Sequence, residues 1–209
     1  MRVFILCTGR SASSTFIKAC EHITNYTAGH ETRVSRFEKE RFNYPDNHIE
    51  ADNRLSWQLG WIDKMYGDEA MYVHLKRNRD QVARSFMKRF FIPRSMIDAF
   101  CEGIRMVPPE ELTESQKLQA CYDYVDTVNL NIESFLATKT RVMTLTLQEV
   151  ERGFPVFWKT IGARGNLEHA LKEFSVSHNS SGNREWNYGL RLKLLVLREW
   201  NHIKRCLKY

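Results

Sequence analysis

The sequence predicts an α/β fold of three layers, in which a central, mainly parallel β-sheet carries helices on both faces and a helical insertion interrupts the alternation. Three observations predict it. Apolar or β-branched runs suited to buried strands recur at residues 2–8, 70–78 and 141–150, and each is followed by a stretch with helical spacing. No linker long enough to divide the chain separates these units, so residues 1–209 are expected to form a single α/β domain.

Residues 2–8 are continuously apolar up to Gly9, and residues 13–23 continue with Phe16, Ile17, Cys20 and Ile23 on one helical face. In "AMYVHLKRN", Met71, Val73 and Leu75 alternate as in a strand, and "RDQVARSFMKRFF" places Val82, Phe86 and Phe90 at helical spacing. Residues 94–106 and a helix opening at "TESQ", Thr113 to Gln116, form the insertion. The Thr and Gln of that tetrapeptide make a capping box, and Leu118, Cys121, Tyr122, Val125, Ile132 and Phe135 give the helix a long apolar face. "RVMTLTLQEV" reads as a further strand, followed by a helix carrying Phe154, Phe157, Trp158 and Ile161. A Ser/Asn/Gly-rich loop containing Arg184 precedes a last helix, whose stripe from Trp186 through Trp200 and Ile203 to Leu207 is expected to dock on the sheet.

Composition narrows the function classes. Of the 209 residues, 43% are hydrophobic and 12% aromatic, enough for a sizeable core and incompatible with a disordered tail. Lysine and arginine exceed aspartate and glutamate by 31 to 25, a net charge of +6 that suits an anionic ligand. The basic face of the last helix (Arg191, Arg198, Lys204, Arg205, Lys208) lacks interleaved aromatics, so a solvated surface is favoured over a nucleic acid or a membrane as its partner. The five cysteines are widely spaced without a C-x-x-C pair, which reads as free thiols rather than a zinc or redox motif. No run approaches the ~20 apolar residues of a membrane span, and the expected location is the cytoplasm.

The chemistry is concentrated in "TGRSASST". A helix start presents unpaired N–H groups and the positive end of its dipole, so Arg10, Ser11, Ala12, Ser13, Ser14 and Thr15 can wrap a phosphate with amides, hydroxyls and a permanent cation. The Walker pattern G-x-x-x-x-G-K-S/T is absent, which argues against an ordinary ATP- or GTP-hydrolysing protein. In "HLKRNRDQVARSF", Arg77 stands at a strand end and Ser85 lies two helical turns into the next helix, a second pair suited to phosphate.

Together these stretches resemble the phosphate-binding elements of sulfotransferases that use 3′-phosphoadenosine 5′-phosphosulfate (PAPS): a basic-S-G-S/T-S/T loop and an R-x₇-S element. "AGHETRVSR" is similar to the G-E-E-T-R-V segment of tyrosylprotein sulfotransferases. The resemblance covers mainly residues 1–90, and it departs from the family at Ala12, which replaces a glycine, and in lacking a lysine for which Arg54 is the nearest substitute. It implies a P-loop NTPase-like sulfotransferase fold, PAPS as donor, 3′-phosphoadenosine 5′-phosphate (PAP) as product, and no metal. It also implies that Arg10, Ser11, Ala12, Ser13, Ser14, Thr15, Arg77 and Ser85 bind the nucleotide, that Glu31 is the catalytic base with Arg10 stabilising the leaving group, and that His30 and Arg33 meet the acceptor. The acceptor would be a carbohydrate, small metabolite or peptide.

Competing readings stay open. Glu31 could form a surface ion pair with Arg33 or Arg36. "HIEAD" sets His48, Glu50 and Asp52 on one side of an extended segment, where His48 is a reserve base and the trio has the spacing of a metal or acid/base cluster. Arg33, Arg36, Lys39 and Arg41 would surround an entrance suited to an acidic acceptor. A Mg-dependent small-molecule or nucleoside kinase, or a non-enzymatic nucleotide-binding module, are the alternatives to a transferase.

Overall fold

The computed structural model describes residues 1–176 and, beyond them, Val196, Trp200 and Ile203. They fall into two compact units, one of residues 1–78 and 126–179, the other of residues 79–125 and 180–209.

The first unit is built on five strands: β1 (Arg2–Leu6), β2 (Thr27–His30), β3 (His48–Ala51), β4 (Met71–Lys76) and β5 (Val142–Thr146). Their order is β2-β3-β1-β4-β5 and every pairing is parallel. Strands that alternate side-chain direction give each sheet face its own set. Val3, Ile5 and Cys7, with Ile49, Ala51, Val73 and Leu75, face a core completed by Phe16, Phe154, Phe157 and Trp158. These come from α1 (Ser13–Cys20) and α6 (Val150–Thr160), and α7 (Leu167–Lys172) adds Ala170. On the other face the ring of Phe4 packs against Tyr44, Tyr66 and Tyr72 at 5.4, 5.3 and 5.9 Å, with Tyr66 supplied by α2 (Leu59–Tyr66). Tyr72 in turn meets Phe135 edge-on at 5.0 Å. This is the three-layer α/β architecture, with a sheet that is wholly parallel.

The chain leaves β1 for β2 on one side and crosses from β3 to β4 on the other, so β1 stands where the order reverses. Ligands of open parallel sheets bind beyond the carboxyl ends of the strands at that point, which here is the segment between β1 and α1.

The second unit holds α3 (Arg79–Met87), α4 (Met96–Ala99) with a wide turn at Phe100–Ile104, and the start of α5 (Glu114–Leu136). Phe86 and Phe100 both pack edge-on against Tyr124, at 4.8 and 5.5 Å. The capping box is present: the Thr113 amide donates to Gln116 Oε1 at 2.9 Å and the Gln116 amide to Thr113 Oγ1 at 3.4 Å.

Helices stop earlier than periodicity alone suggests. α1 ends at Cys20, and Ile23 instead makes a bridge to Gly165. Cys7, Cys20 and Cys121 are free thiols, and they and Cys101 are buried. Among the described residues no helix is long and apolar enough to cross a membrane. Trp200 and Ile203 are about half exposed. Cys206, Arg184 with its loop, and the remaining stripe and basic-face positions lie outside the described residues.

Candidate active site

The site begins where β1 runs out. Gly9, Arg10 and Ala12 have φ of 76°, 59° and 64°, whereas Ser11 between them does not take a positive φ. Backbone that changes hand in this way turns N–H groups to one side and forms an anion-binding nest. Gly9 is required twice over: its φ favours glycine, and a Cβ would stand 2.8 Å from Asn53 Nδ2. Ala12 is the N-cap of α1 but carries no capping side chain, and the first helical bond runs from the Phe16 amide to the Ala12 carbonyl at 3.0 Å. The amides of Ser13 and Ser14 therefore end the helix with its positive dipole pointing into the loop. Ser11 is buried next to the Cys7 thiol, whose pKa is pushed up by burial and drawn back by the Ser11 and Ser13 hydroxyls.

Arg77 follows β4 directly, and β4 is the parallel neighbour of β1, with Leu6 opposite His74. Its Nη1 donates to the Arg10 carbonyl at 3.1 Å, bringing a guanidinium to the loop. Ser85 lies on α3, in the second unit.

β2 delivers the next residues. His30 Nε2 lies 3.0 Å from Ser13 Oγ and 3.2 Å from Ser14 Oγ, so the strand end touches the first turn of α1. Glu31 has a left-handed φ of 56° and is tied to the sheet by its amide, which donates to the Ala51 carbonyl at 3.0 Å. Its carboxylate meets Arg54 Nη1 at 3.0 Å, and the same nitrogen stands 3.7 Å from Asp52. The ion partner of Glu31 is thus Arg54, not Arg33 or Arg36. Arg33 instead donates to the Glu40 carbonyl at 3.1 Å and lies over the Tyr44 ring at 5.5 Å.

Two expectations drawn from the polar residues nearby are corrected. Arg41 is not an entrance cation: it is buried, with Nη2 donating to Asp52 at 2.6 Å and Nη1 to the Tyr44 hydroxyl at 3.0 Å. Burial pushes the Asp52 carboxyl up, while the Arg54 amide and the Arg41 guanidinium pull it back. Nor do His48, Glu50 and Asp52 form a metal cluster; Asp52 turns to Arg41, and among the described residues no three such side chains are placed to hold an ion. His48 is buried with both ring nitrogens occupied, Nδ1 by Thr27 Oγ1 at 2.8 Å and Nε2 by Glu50 at 3.0 Å, which leaves it no hand for an acceptor.

Comparison with solved structures bears on this geometry. The sulfotransferase domain from the curacin biosynthetic pathway matches with a TM-score of 0.57 at 11% identity, over 87% of this chain and 80% of that one. The mouse sulfotransferase SULT7A1, complexed with PAP, matches with a TM-score of 0.51 at 13% identity, over 97% of this chain and 66% of that one. The fold is that of sulfotransferases. At such identities the likeness concerns the fold alone, and no protein-family model or curated protein matches the sequence. On a sulfotransferase fold, the loop after β1, Arg77 and the end of β2 converge within the first unit. Asn53 beside Gly9 carries no signal in the sequence, and Arg54, which the sequence offers only as the nearest substitute for a missing lysine, meets Glu31 because the β3 end brings it there.

Proposed function

We propose that the chain is a PAPS-dependent sulfotransferase acting on a hydroxyl or amine of a carbohydrate, small metabolite or peptide. One observation carries the proposal: a nest of left-handed residues opens α1 without a side-chain cap and is joined by the Arg77 guanidinium, at the reversal point of a sulfotransferase fold. That donor set suits a phosphate group, since it combines amides at a helix start, the hydroxyls of Ser13 and Ser14, and a fixed cation.

PAPS would supply the activated sulfuryl group. The loop amides of residues 10–15 and Arg10 would hold the 5′ end and stabilise the negative charge that grows on the phosphate oxygen as its bond to sulfur breaks. Arg77 would hold the 3′-phosphate. Glu31 would take the proton from the acceptor as the acceptor oxygen or nitrogen bonds to sulfur. His30, against Ser13 and Ser14, would stand on the acceptor side, with Arg33 further along the same segment. Positioning and charge stabilisation do most of the work in such an in-line transfer.

Calorimetric titration with PAP in the absence of metal tests the proposal, with Mg-ATP as comparison. Metal-free binding of PAP that collapses in Arg77→Ala is expected. Preference for Mg-ATP, or no binding of PAP, would overturn the donor assignment and return the chain to the kinase class.

A further inference from the structure

Glu50 is a fully buried carboxylate on β3, and neither of its oxygens is idle. Oε1 accepts the Thr32 amide at 2.8 Å; Oε2 accepts the Thr32 hydroxyl at 2.7 Å and meets His48 Nε2 at 3.0 Å. A carboxylate only accepts, so the Nε2 proton belongs to that last bond, while Nδ1 lies 2.8 Å from the Thr27 hydroxyl oxygen. Thr27 opens β2 and Thr32 follows its end, so the pair grips the strand before and after the residues that project from it. Gly29 allows the grip, since a Cβ there would lie 2.3 Å from Thr32 Cγ2 and 2.9 Å from Glu50 Oε2.

A buried anion with this many donors is costly to assemble and rigid once assembled. What it immobilises is the turn at Glu31. That residue holds a left-handed φ of 56°, a conformation that non-glycine residues keep only where the surrounding structure holds them in it. The chain is fixed on either side of its side chain, by the Glu31 amide on the Ala51 carbonyl and by the Thr32 amide on Glu50.

We propose that Glu50, oriented by His48, is a positioning residue that clamps the turn and aims the Glu31 carboxylate at the acceptor. The inference rests on Glu31 being the base of a sulfotransferase. Glu50 touches neither donor nor acceptor in this scheme; it acts through Thr32. Because misplacement of a reacting group by ~1 Å can cost about 100-fold in rate, loosening this turn should be felt in kcat.

The test uses Glu50→Gln, which keeps the shape and one acceptor, and Thr32→Val, which removes the hydroxyl from the surface side without opening a cavity in the core. Three readouts are taken on the whole chain: PAP affinity by calorimetry, PAP release from PAPS with water as the acceptor hydroxyl, and exchange of the Thr32 amide by NMR. Expected are unchanged PAP affinity and unchanged KM for PAPS in both variants. Release should slow by up to about ten-fold in Glu50→Gln and less in Thr32→Val, with faster Thr32 exchange following the same order. Unaltered kcat in folded Glu50→Gln and Thr32→Val would overturn the inference, as would an unaltered Thr32 amide. Failure of the unmodified protein to bind PAP would instead remove the transferase proposal and this inference with it, and the first readout separates the two cases.

Discussion

Arg77 stands 67 residues from Arg10 in the chain, yet its Nη1 donates to the Arg10 carbonyl oxygen at 3.1 Å. In a planar trans peptide the C=O and the following N–H point opposite ways, so a guanidinium that fixes the Arg10 carbonyl also aims the Ser11 amide. Arg77 therefore has a structural hold on the nest besides its charge.

The two contributions separate by substitution. Arg77→Lys keeps the charge but replaces a planar fork by a compact ammonium. A lost charge-assisted hydrogen bond is worth about 1.5–3 kcal/mol, so Arg77→Ala should lower PAP affinity by roughly ten- to a hundred-fold, with Arg77→Lys between it and the unmodified protein. Isothermal calorimetry reads both; equal affinity in all three proteins would show that Arg77 only braces the loop.

Ala12 occupies a left-handed position, φ 64°, where the sulfotransferases it resembles carry glycine. An L-residue there costs roughly 1–2 kcal/mol from contact between Cβ and backbone, partly offset by the greater freedom glycine has when unfolded. Ala12→Gly should therefore raise stability by about 1 kcal/mol in urea denaturation. A fall would mean that the alanine methyl makes packing contacts worth more than the strain.

How far the sequence disclosed the fold depends on which interactions are local. The buried run before Gly9, the helix after it, the capping box of Thr113 and Gln116, and the β-branched strand at Val142–Thr146 all announce themselves within a few residues. β2 does not: "TAGH" has no apolar alternation and becomes a strand through pairing with β3. The alternating polar residues of "HIEA" followed by Asp52 read as a functional or metal-binding edge, whereas the fold buries them and satisfies each through partners that are distant in sequence, Arg41, Thr27 and Thr32. The resemblance marks Glu31 as a candidate, but nothing local in the sequence marks Arg54 as its partner, which reaches it only because β3 lies beside β2. Pattern reads periodicity well; it does not read which buried charges meet.

Acid stability should report the turn that leads into β4. The Asp68 carboxyl is held below its ordinary value of 3.8, first by the Thr140 amide at 2.8 Å, with the Thr140 hydroxyl, Lys139 and Arg141 adding to it. A depressed folded pKa means stabilisation that is present above the unfolded value and is lost as the pH falls through the folded one. The melting temperature of Asp68→Ala should lie below that of the unmodified protein at neutral pH, and the gap should narrow below about pH 4. A gap that stays constant across that range would remove the carboxylate from the account.

Glu31→Gln tests the chemistry with the least disturbance of the fold. The side chain is about one-third exposed and its ion partner is Arg54, 39% exposed, so the pair lies at the edge of the fold and outside the apolar core. Glutamine keeps the size and retains an oxygen that Arg54 can donate to, but it cannot take a proton. If Glu31 is the base, PAP release from PAPS should fall by about 10²–10⁴-fold, while PAP affinity and melting temperature stay where they were. A protein that only binds the nucleotide would keep its affinity and have no turnover to lose in the first place. A transferase that uses another group would keep its turnover in Glu31→Gln. Because His48 is buried with both nitrogens engaged, attention would then pass to His30, whose Nε2 already stands at the Ser13 and Ser14 hydroxyls.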